Sequence, residues 1–102
     1  MARDPWAYRE VAVESVLEPR TGRLRIRPMQ GQAYATSMRV HCARKLADPM
    51  LYPAGTRFLI RAKLTDRDGG RPFLYAYHGD TVHVLSDREA ESFLDEYRRR
   101  RI

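Results

Sequence analysis

The sequence contains one cysteine, two lysines and no long apolar run, and these shortages exclude several kinds of protein. A single cysteine, Cys42, cannot form a disulfide within the chain, so we expect the core alone to hold the fold. No apolar segment reaches the roughly 18 residues that a membrane span needs. Residues 1–5 lack the apolar centre of a signal peptide, and we therefore expect a cytoplasmic protein without membrane contact.

Recognisable catalytic and metal-binding motifs are missing as well. There is no Gly-x-Ser-x-Gly elbow, no glycine-rich phosphate loop and no His-Glu-x-x-His pair. The three histidines, His41, His78 and His83, do not have the spacing of a metal site. Cys42 is expected to be a core residue rather than a reactive thiolate. We therefore assign no catalytic residue, no metal site and no cofactor, and we favour a binding module over an enzyme.

Positive charge is in excess and is unevenly distributed. The 102 residues carry a net charge of +6, and the whole excess falls within residues 18–45. All but two of the 19 basic residues are arginines, whose planar guanidinium group suits phosphate and carboxylate. The length and the hydrophobic content of 43% predict a single globular domain over residues 1–102.

Arginine alternates with apolar residues in two segments, which is typical of half-buried β-strands. In residues 23–27, Leu24 and Ile26 are predicted to face the core while three arginines face the solvent. Residues 57–64 repeat this pattern. Together they predict a cationic surface that binds phosphate, called here the arginine face: Arg23, Arg25, Arg27, Arg57, Arg61 and Lys63. The alternative is a solvated outer face that keeps the domain soluble.

A β-hairpin is predicted near the start of the chain. Residues 8–17 form its first strand, with Val11, Val13 and Leu17 directed into the core. Residues 18–22 contain proline and glycine in a turn arrangement and return the chain into the arginine-rich strand.

A second hairpin and a short last strand are predicted downstream. Residues 56–65 and 73–77 form the hairpin around an Asp-Gly turn, and residues 81–85 form the last strand. Residues 38–46 fit two structures. Their alternation favours a strand to about Ala43, whereas Ser37, just before them, is suited to cap a short helix that runs to Leu46.

The C-terminal segment is predicted to be an α-helix over residues 87–100. Ser86 and Glu89 have the spacing of a capping box, and four residues form an apolar stripe at helical spacing: Ala90, Phe93, Leu94 and Tyr97. The predicted fold class is mainly β (α+β). It is a small antiparallel β-barrel or strongly curved sheet of five to six strands, SH3-like or OB-like, over residues 8–85, with this C-terminal α-helix.

Three tyrosines are candidates for stacking on nucleic-acid bases. Tyr75 and Tyr77 share one strand face with Phe73, which is expected to be buried, and Tyr34 lies in a loop. The basic carboxyl-terminal run at residues 98–101 fits either a nucleic-acid patch or a solvated helix end.

These patterns favour a small basic module that binds RNA or single-stranded DNA through the arginine face. One alternative is a protein-interaction or small-ligand module that forms a homodimer through an edge strand near residues 38–42. Another is a metal-independent, toxin-like barrel ribonuclease that uses His78 or His83 with a nearby arginine.

Overall fold

The structure, a computed structural model, describes residues 7–66 and 70–100. Within these two ranges lie six strands, a short 3-10 helix and one α-helix. The strands are β1 (Arg9–Leu17), β2 (Leu24–Pro28), β3 (Val40–His41), β4 (Arg57–Thr65), β5 (Phe73–Tyr75) and β6 (His83–Leu85). The 3-10 helix is Arg44–Ala47, and the α-helix, α1, is Asp87–Arg100. Within the described ranges, no helix is both long and apolar enough to cross a membrane.

The six strands form one sheet in which β4 is the shared member. The strand order is β2-β1-β4-β5-β3, and β6 adds a further pairing to β4. All pairs are antiparallel except that of β3 with β5. The sheet curls until β2 comes into contact with β3, which lies at the opposite end of this order. This confirms the predicted small barrel-like sheet with a C-terminal helix, with one parallel pair in place of a wholly antiparallel sheet.

The core lies inside the curled sheet and is built by alternate residues of β1 and β4. Val13 is directly opposite Phe58, and Val11 is directly opposite Ile60. Each of these side chains is at most 1% exposed. Because neighbours on a strand point to opposite faces, this register places Arg57, Leu59, Arg61 and Lys63 on the outer face.

The prediction that Leu17 faces the core is wrong, since 58% of Leu17 is exposed. Leu17 is the last residue of β1 and pairs with Leu24, the first residue of β2, at the hairpin turn. Leu17 is on the same face of β1 as Val11 and Val13, but this end of the strand extends beyond the core. Position along the strand, rather than alternation, decides its burial.

Residues 38–46 contain both structures that their sequence suggests, each in a shorter form. The predicted strand to Ala43 is wrong in extent, because β3 comprises only Val40 and His41. Beyond β3 the chain turns into the 3-10 helix, and this change of direction buries Leu46 in the core with 1% of its surface exposed.

The second hairpin is confirmed, although its return strand is shorter than predicted. β5 ends at Tyr75 and β6 begins at His83, each two residues short of the predicted ranges. A turn separates them, in which the Asp80 N–H donates to the Tyr77 carbonyl at 3.1 Å. Most of the predicted Asp-Gly turn, residues 67–69, lies outside the described residues.

Helix α1 packs on the outer face of the sheet, over a small residue of β1. Ala12 points outward but is fully buried, because Ala90 of the helix and Met29 lie against it. The predicted capping box is confirmed. The Ser86 N–H donates to Glu89 Oε1 at 2.8 Å, and the Glu89 N–H donates to Ser86 Oγ at 3.1 Å.

The capping box predicts an acid-sensitive helix. Hydrogen bonds from Ser86 hold the pKa of the Glu89 carboxyl below its usual range. Its contribution to stability is therefore complete above the unfolded-state pKa, and it is lost as the pH falls through the lower folded-state value. We expect Glu89→Gln, which retains an acceptor oxygen but does not titrate, to lose less helix stability than the wild type between neutral pH and pH about 3. Thermal unfolding followed by circular dichroism measures this loss.

Glu91→Gln is the matched control, since it removes the same charge from an exposed position of the same helix. Equal acid sensitivity in Glu89→Gln and Glu91→Gln would show that the capping carboxylate does not contribute to the pH dependence.

Candidate functional site

The arginine face is interrupted by an acidic residue of β1. Because β1 lies between β2 and β4, its Glu14 is directly opposite Arg27 on one side and Arg57 on the other. Arg27 Nε donates to Glu14 Oε2 at 3.0 Å. A carboxylate between two guanidinium groups weakens the local positive field, so this part of the face attracts an anion less than its arginine content suggests.

Two more cations of the arginine face have carboxylate partners. Arg57 Nη1 lies 2.6 Å from Asp87 Oδ1, and Arg25 Nε lies 3.9 Å from Glu18 Oε2. Ion pairs at the surface contribute up to about 1 kcal/mol each, so they hold these side chains only weakly against a competing phosphate. The three arginines with these carboxylate partners, Arg25, Arg27 and Arg57, are called here the paired region. A second region lies farther along β4, where Arg61 is directly opposite Glu10 and Lys63 follows it.

A groove of about 580 Å³ lies beside this second region, between the start of β1, β4 and the later turns of α1. It combines aromatic and charged side chains and is called here the aromatic groove. Its aromatic members are Tyr8, Tyr34, Phe93 and Tyr97. Its charged members are Arg9, Glu10, Arg61 and Arg100. The groove thus brings together one residue of the arginine face, Arg61, and one of the three predicted stacking residues, Tyr34.

The helix supplies the aromatic residues that the sequence assigned to a core-facing stripe. Phe93 and Tyr97 are only partly buried, with ring centroids 6.5 Å apart. The Tyr97 hydroxyl accepts a hydrogen bond from the Ala33 N–H at 3.1 Å. This bond ties the later part of α1 to the loop between β2 and β3, and it fixes two sides of the groove relative to each other.

Tyr34 lies half-buried in the groove, in contact with the edge of the core. Burial raises the pKa of its phenol, neighbouring Tyr97 raises it further, and Arg9 lowers it. The phenol is therefore protonated at neutral pH. A neutral ring that is partly exposed can stack on a base and still donate a hydrogen bond.

Gln32 anchors the loop that carries Tyr34. Its Oε1 accepts from the Ala12 N–H at 2.8 Å, and its Nε2 donates to the carbonyls of Ala12 and Met29, each at 2.9 Å. The side-chain amide thus bonds to β1 as a neighbouring strand would, at the point where β2 has ended. Gly31 adopts φ +109° beside Leu94, a backbone conformation that favours glycine.

The remaining members of the two predicted sets lie near the groove or apart from it. Lys63 Nζ is 5.8 Å from the centroid of the Tyr8 ring, so it borders the groove. Tyr75 is directly opposite Lys63 on β5 and is half-buried. Arg23 lies in the exposed turn before β2, and Tyr77 lines a different cavity.

That second cavity is called here the barrel-end cavity. It is lined by the segment around the 3-10 helix, by β4 and by the turn between β5 and β6. Its volume is about 260 Å³, and Ile60, Leu46 and Ala76 form its apolar floor. Polar side chains surround this floor: Lys45, Arg61, His78, Asp80 and Thr81. Arg61 therefore lines both the barrel-end cavity and the aromatic groove.

Two of the histidines, His41 and His78, lie against aromatic rings, and Cys42 is partly buried. His41 stacks on Phe73 with ring centroids 4.3 Å apart, and His78 lies 4.7 Å from the Tyr77 ring. Burial raises the pKa of the Cys42 thiol to about 11, so it is protonated at neutral pH and is a poor nucleophile. Among the described residues, no group of three or more histidine, cysteine or acidic side chains could hold a metal ion.

Most of the groove was missed by reasoning from sequence. Arg9 and Tyr8 lie in the predicted first strand, and Phe93 and Tyr97 lie in the predicted apolar stripe of the helix. The one available signal was the basic run at residues 98–101, of which Arg100 lines the groove. No protein-family model, curated protein or solved structure matches this chain, so its geometry is the basis for assigning a function.

The hydrogen bonds of Gln32 to β1 should stabilise the loop that carries Tyr34. We expect Gln32→Leu to destabilise the protein by about 1–3 kcal/mol, because the Ala12 N–H loses a buried partner. Urea unfolding measures the loss, and Gln30→Leu is the matched control at an exposed position of the same loop. Unchanged stability in Gln32→Leu would contradict the anchoring role.

Proposed function

We propose that this protein is a small basic module that binds single-stranded nucleic acid in the aromatic groove. The observation that carries the proposal is the presence of four aromatic rings and three arginines in one groove of about 580 Å³. Proteins that bind single strands combine the same two features, a basic path for the backbone and rings on which bases stack.

In the aromatic groove, the aromatic side chains contact the bases and the arginines contact the phosphates. Tyr34 and Tyr97 are partly exposed rings that offer faces to unpaired bases. Arg9, Arg61 and Arg100 line the same groove and offer guanidinium groups to the phosphates that connect those bases. Glu10, the one carboxylate of the groove, is opposite Arg61 across the β1–β4 pair.

A single strand suits this groove better than a duplex. In a duplex the base faces are stacked on one another, so rings such as Tyr34 cannot reach them without unstacking. In a single strand the base faces are available, and every base offers one. The groove therefore supports binding with little dependence on sequence.

The paired region of the arginine face has a separate role in this proposal. Arg25, Arg27 and Arg57 have carboxylate partners within 4 Å, as Arg100 of the groove has in Glu96, but none of the three lines the aromatic groove. Together with the net charge of +6 they still contribute to a positive field around the protein. That field raises the rate of encounter with a polyanion, while the aromatic groove makes the close contacts.

Fluorescence anisotropy of labelled single-stranded RNA, single-stranded DNA and duplex DNA, at two salt concentrations, tests the proposal. We expect single strands to bind more tightly than duplex, with an affinity that falls steeply as salt rises. Arg61→Gln should weaken binding several-fold and flatten the salt dependence by roughly one phosphate contact. Arg20→Gln is the charge-matched control, in the turn at the far end of β1.

Tyrosine variants separate stacking from charge in the same titration. Tyr34→Leu keeps an apolar side chain but loses the ring, and we expect a loss of about 1–3 kcal/mol in binding. Tyr75→Leu, half-buried on β5 outside the groove, is the matched control. A localised groove would be contradicted if Arg20→Gln weakened binding as much as Arg61→Gln and Tyr75→Leu weakened it as much as Tyr34→Leu.

Absence of binding to every polymer at low salt would overturn the proposal, and a partner protein or small ligand would then be the leading explanation of this surface. Cutting of the labelled RNA that is lost in the double variant His78→Ala, His83→Ala would instead favour the ribonuclease. His78 and His83 line two cavities that are both also lined by Arg61, and a ribonuclease site would lie there.

A further inference from the structure

The barrel-end cavity and the aromatic groove share one side chain. Arg61, on the outer face of β4, lines the aromatic groove with Tyr34 and Tyr97, and it lines the cavity with Tyr77 and His78. An anionic group held by Arg61 is therefore within reach of both spaces. A strand lying in the groove with a phosphate at Arg61 would have its neighbouring base next to a residue that also lines the cavity.

The volume of the cavity limits what it can accept. Pockets for drug-sized ligands begin at about 300 Å³. At about 260 Å³ the barrel-end cavity is slightly smaller. It therefore has room for one flat ring system.

The lining of the cavity matches the two surfaces of a base. Leu46, Ile60 and Ala76 form an apolar floor, since each is at most 8% exposed. Lys45 and Asp80, which line the same cavity, carry hydrogen-bonding side chains. Sites that receive an unstacked base combine apolar or aromatic walls for its faces with hydrogen-bonding groups for its edge.

The Tyr77 ring, which forms the aromatic wall of the cavity, lies close to the backbone of Gly79 in the turn after β5. A Cβ atom added at Gly79 would lie 2.5 Å from Cε2 of the Tyr77 ring, so glycine allows the ring to lie against the backbone. His78 lies beside the same ring, with centroids 4.7 Å apart. The turn thus presents two rings at the cavity.

We infer that the barrel-end cavity receives one unstacked base of the strand bound in the aromatic groove, while Arg61 holds the adjacent phosphate. This inference rests on the proposed function and adds to it a position of base recognition. The groove then binds any single strand, and the cavity makes one nucleotide of that strand contribute more than its neighbours.

A set of short single-stranded DNAs, each lacking one base at a different position, tests this inference. We expect wild-type protein to bind more weakly where the missing base would stack on Tyr34 or Tyr97, and roughly tenfold more weakly at one further position, where the missing base would enter the cavity. Ala76→Leu fills the floor of the cavity and should remove the loss at this further position, so that the intact strand and the derivative lacking that base bind equally. Ala54→Leu, at an exposed loop position, is the matched control and should keep the loss.

A second variant covers the case in which Ala76→Leu does not fold, as judged by circular dichroism. Gly79→Ala displaces the Tyr77 ring and should reduce the same position-specific loss. Absence of any loss beyond the positions that stack in the groove, or a further loss that persists in a folded cavity variant, would overturn the inference while leaving the proposed function intact. If the intact strand does not bind to wild-type protein at low salt, the proposed function itself fails.

Discussion

The pairing of β4 with three other strands is the constraint on which the rest of the structure depends. β1, β5 and β6 all bond to β4, and β1 and β4 together supply the buried pairs Val13–Phe58 and Val11–Ile60. Because strand side chains alternate, burying these residues forces Arg57, Arg61 and Lys63 outward. A register slip of one residue would bury cations without partners, so core packing and cation placement are fixed together.

The position of α1 follows from this sheet and creates the candidate site. Ala12 is small enough to allow the helix to lie against the outer face, and the Arg57–Asp87 ion pair holds the start of the helix to β4. The capping box begins the helix, and the Tyr97–Ala33 hydrogen bond fixes its later part to the loop after β2. The aromatic groove lies where these attachments leave space between helix and strands.

Local patterns were predictable from the sequence, whereas the arrangement of distant segments was not. Alternation correctly placed Ile26, Phe58 and Ile60 in the core, and the Ser86–Glu89 spacing correctly gave the start of α1. Both kinds of signal depend on neighbours within a few residues. The helix range over residues 87–100 agrees for the same reason.

The strand order depends on contacts between residues far apart in the chain. Reasoning from sequence did not place acidic β1 between two arginine-bearing strands, so it did not foresee that Glu14 would lie opposite both Arg27 and Arg57. The aromatic groove is assembled from four separate segments, and its helical rings look like core residues in the sequence alone. Among the residues that line it, Arg61 and Tyr34 were assigned a binding role in advance, and Arg100 lay in a basic run for which a nucleic-acid patch was one of two interpretations.

Chemical-shift mapping on isotope-labelled protein tests the central claim most directly. A short single-stranded oligonucleotide would be added stepwise while backbone amide signals are followed. The account predicts that the largest shifts cluster around Arg9, Tyr34, Arg61 and Tyr97, with small changes in the turn at residues 18–22. Shifts concentrated along β2 and that turn, with the aromatic groove unaffected, would contradict it.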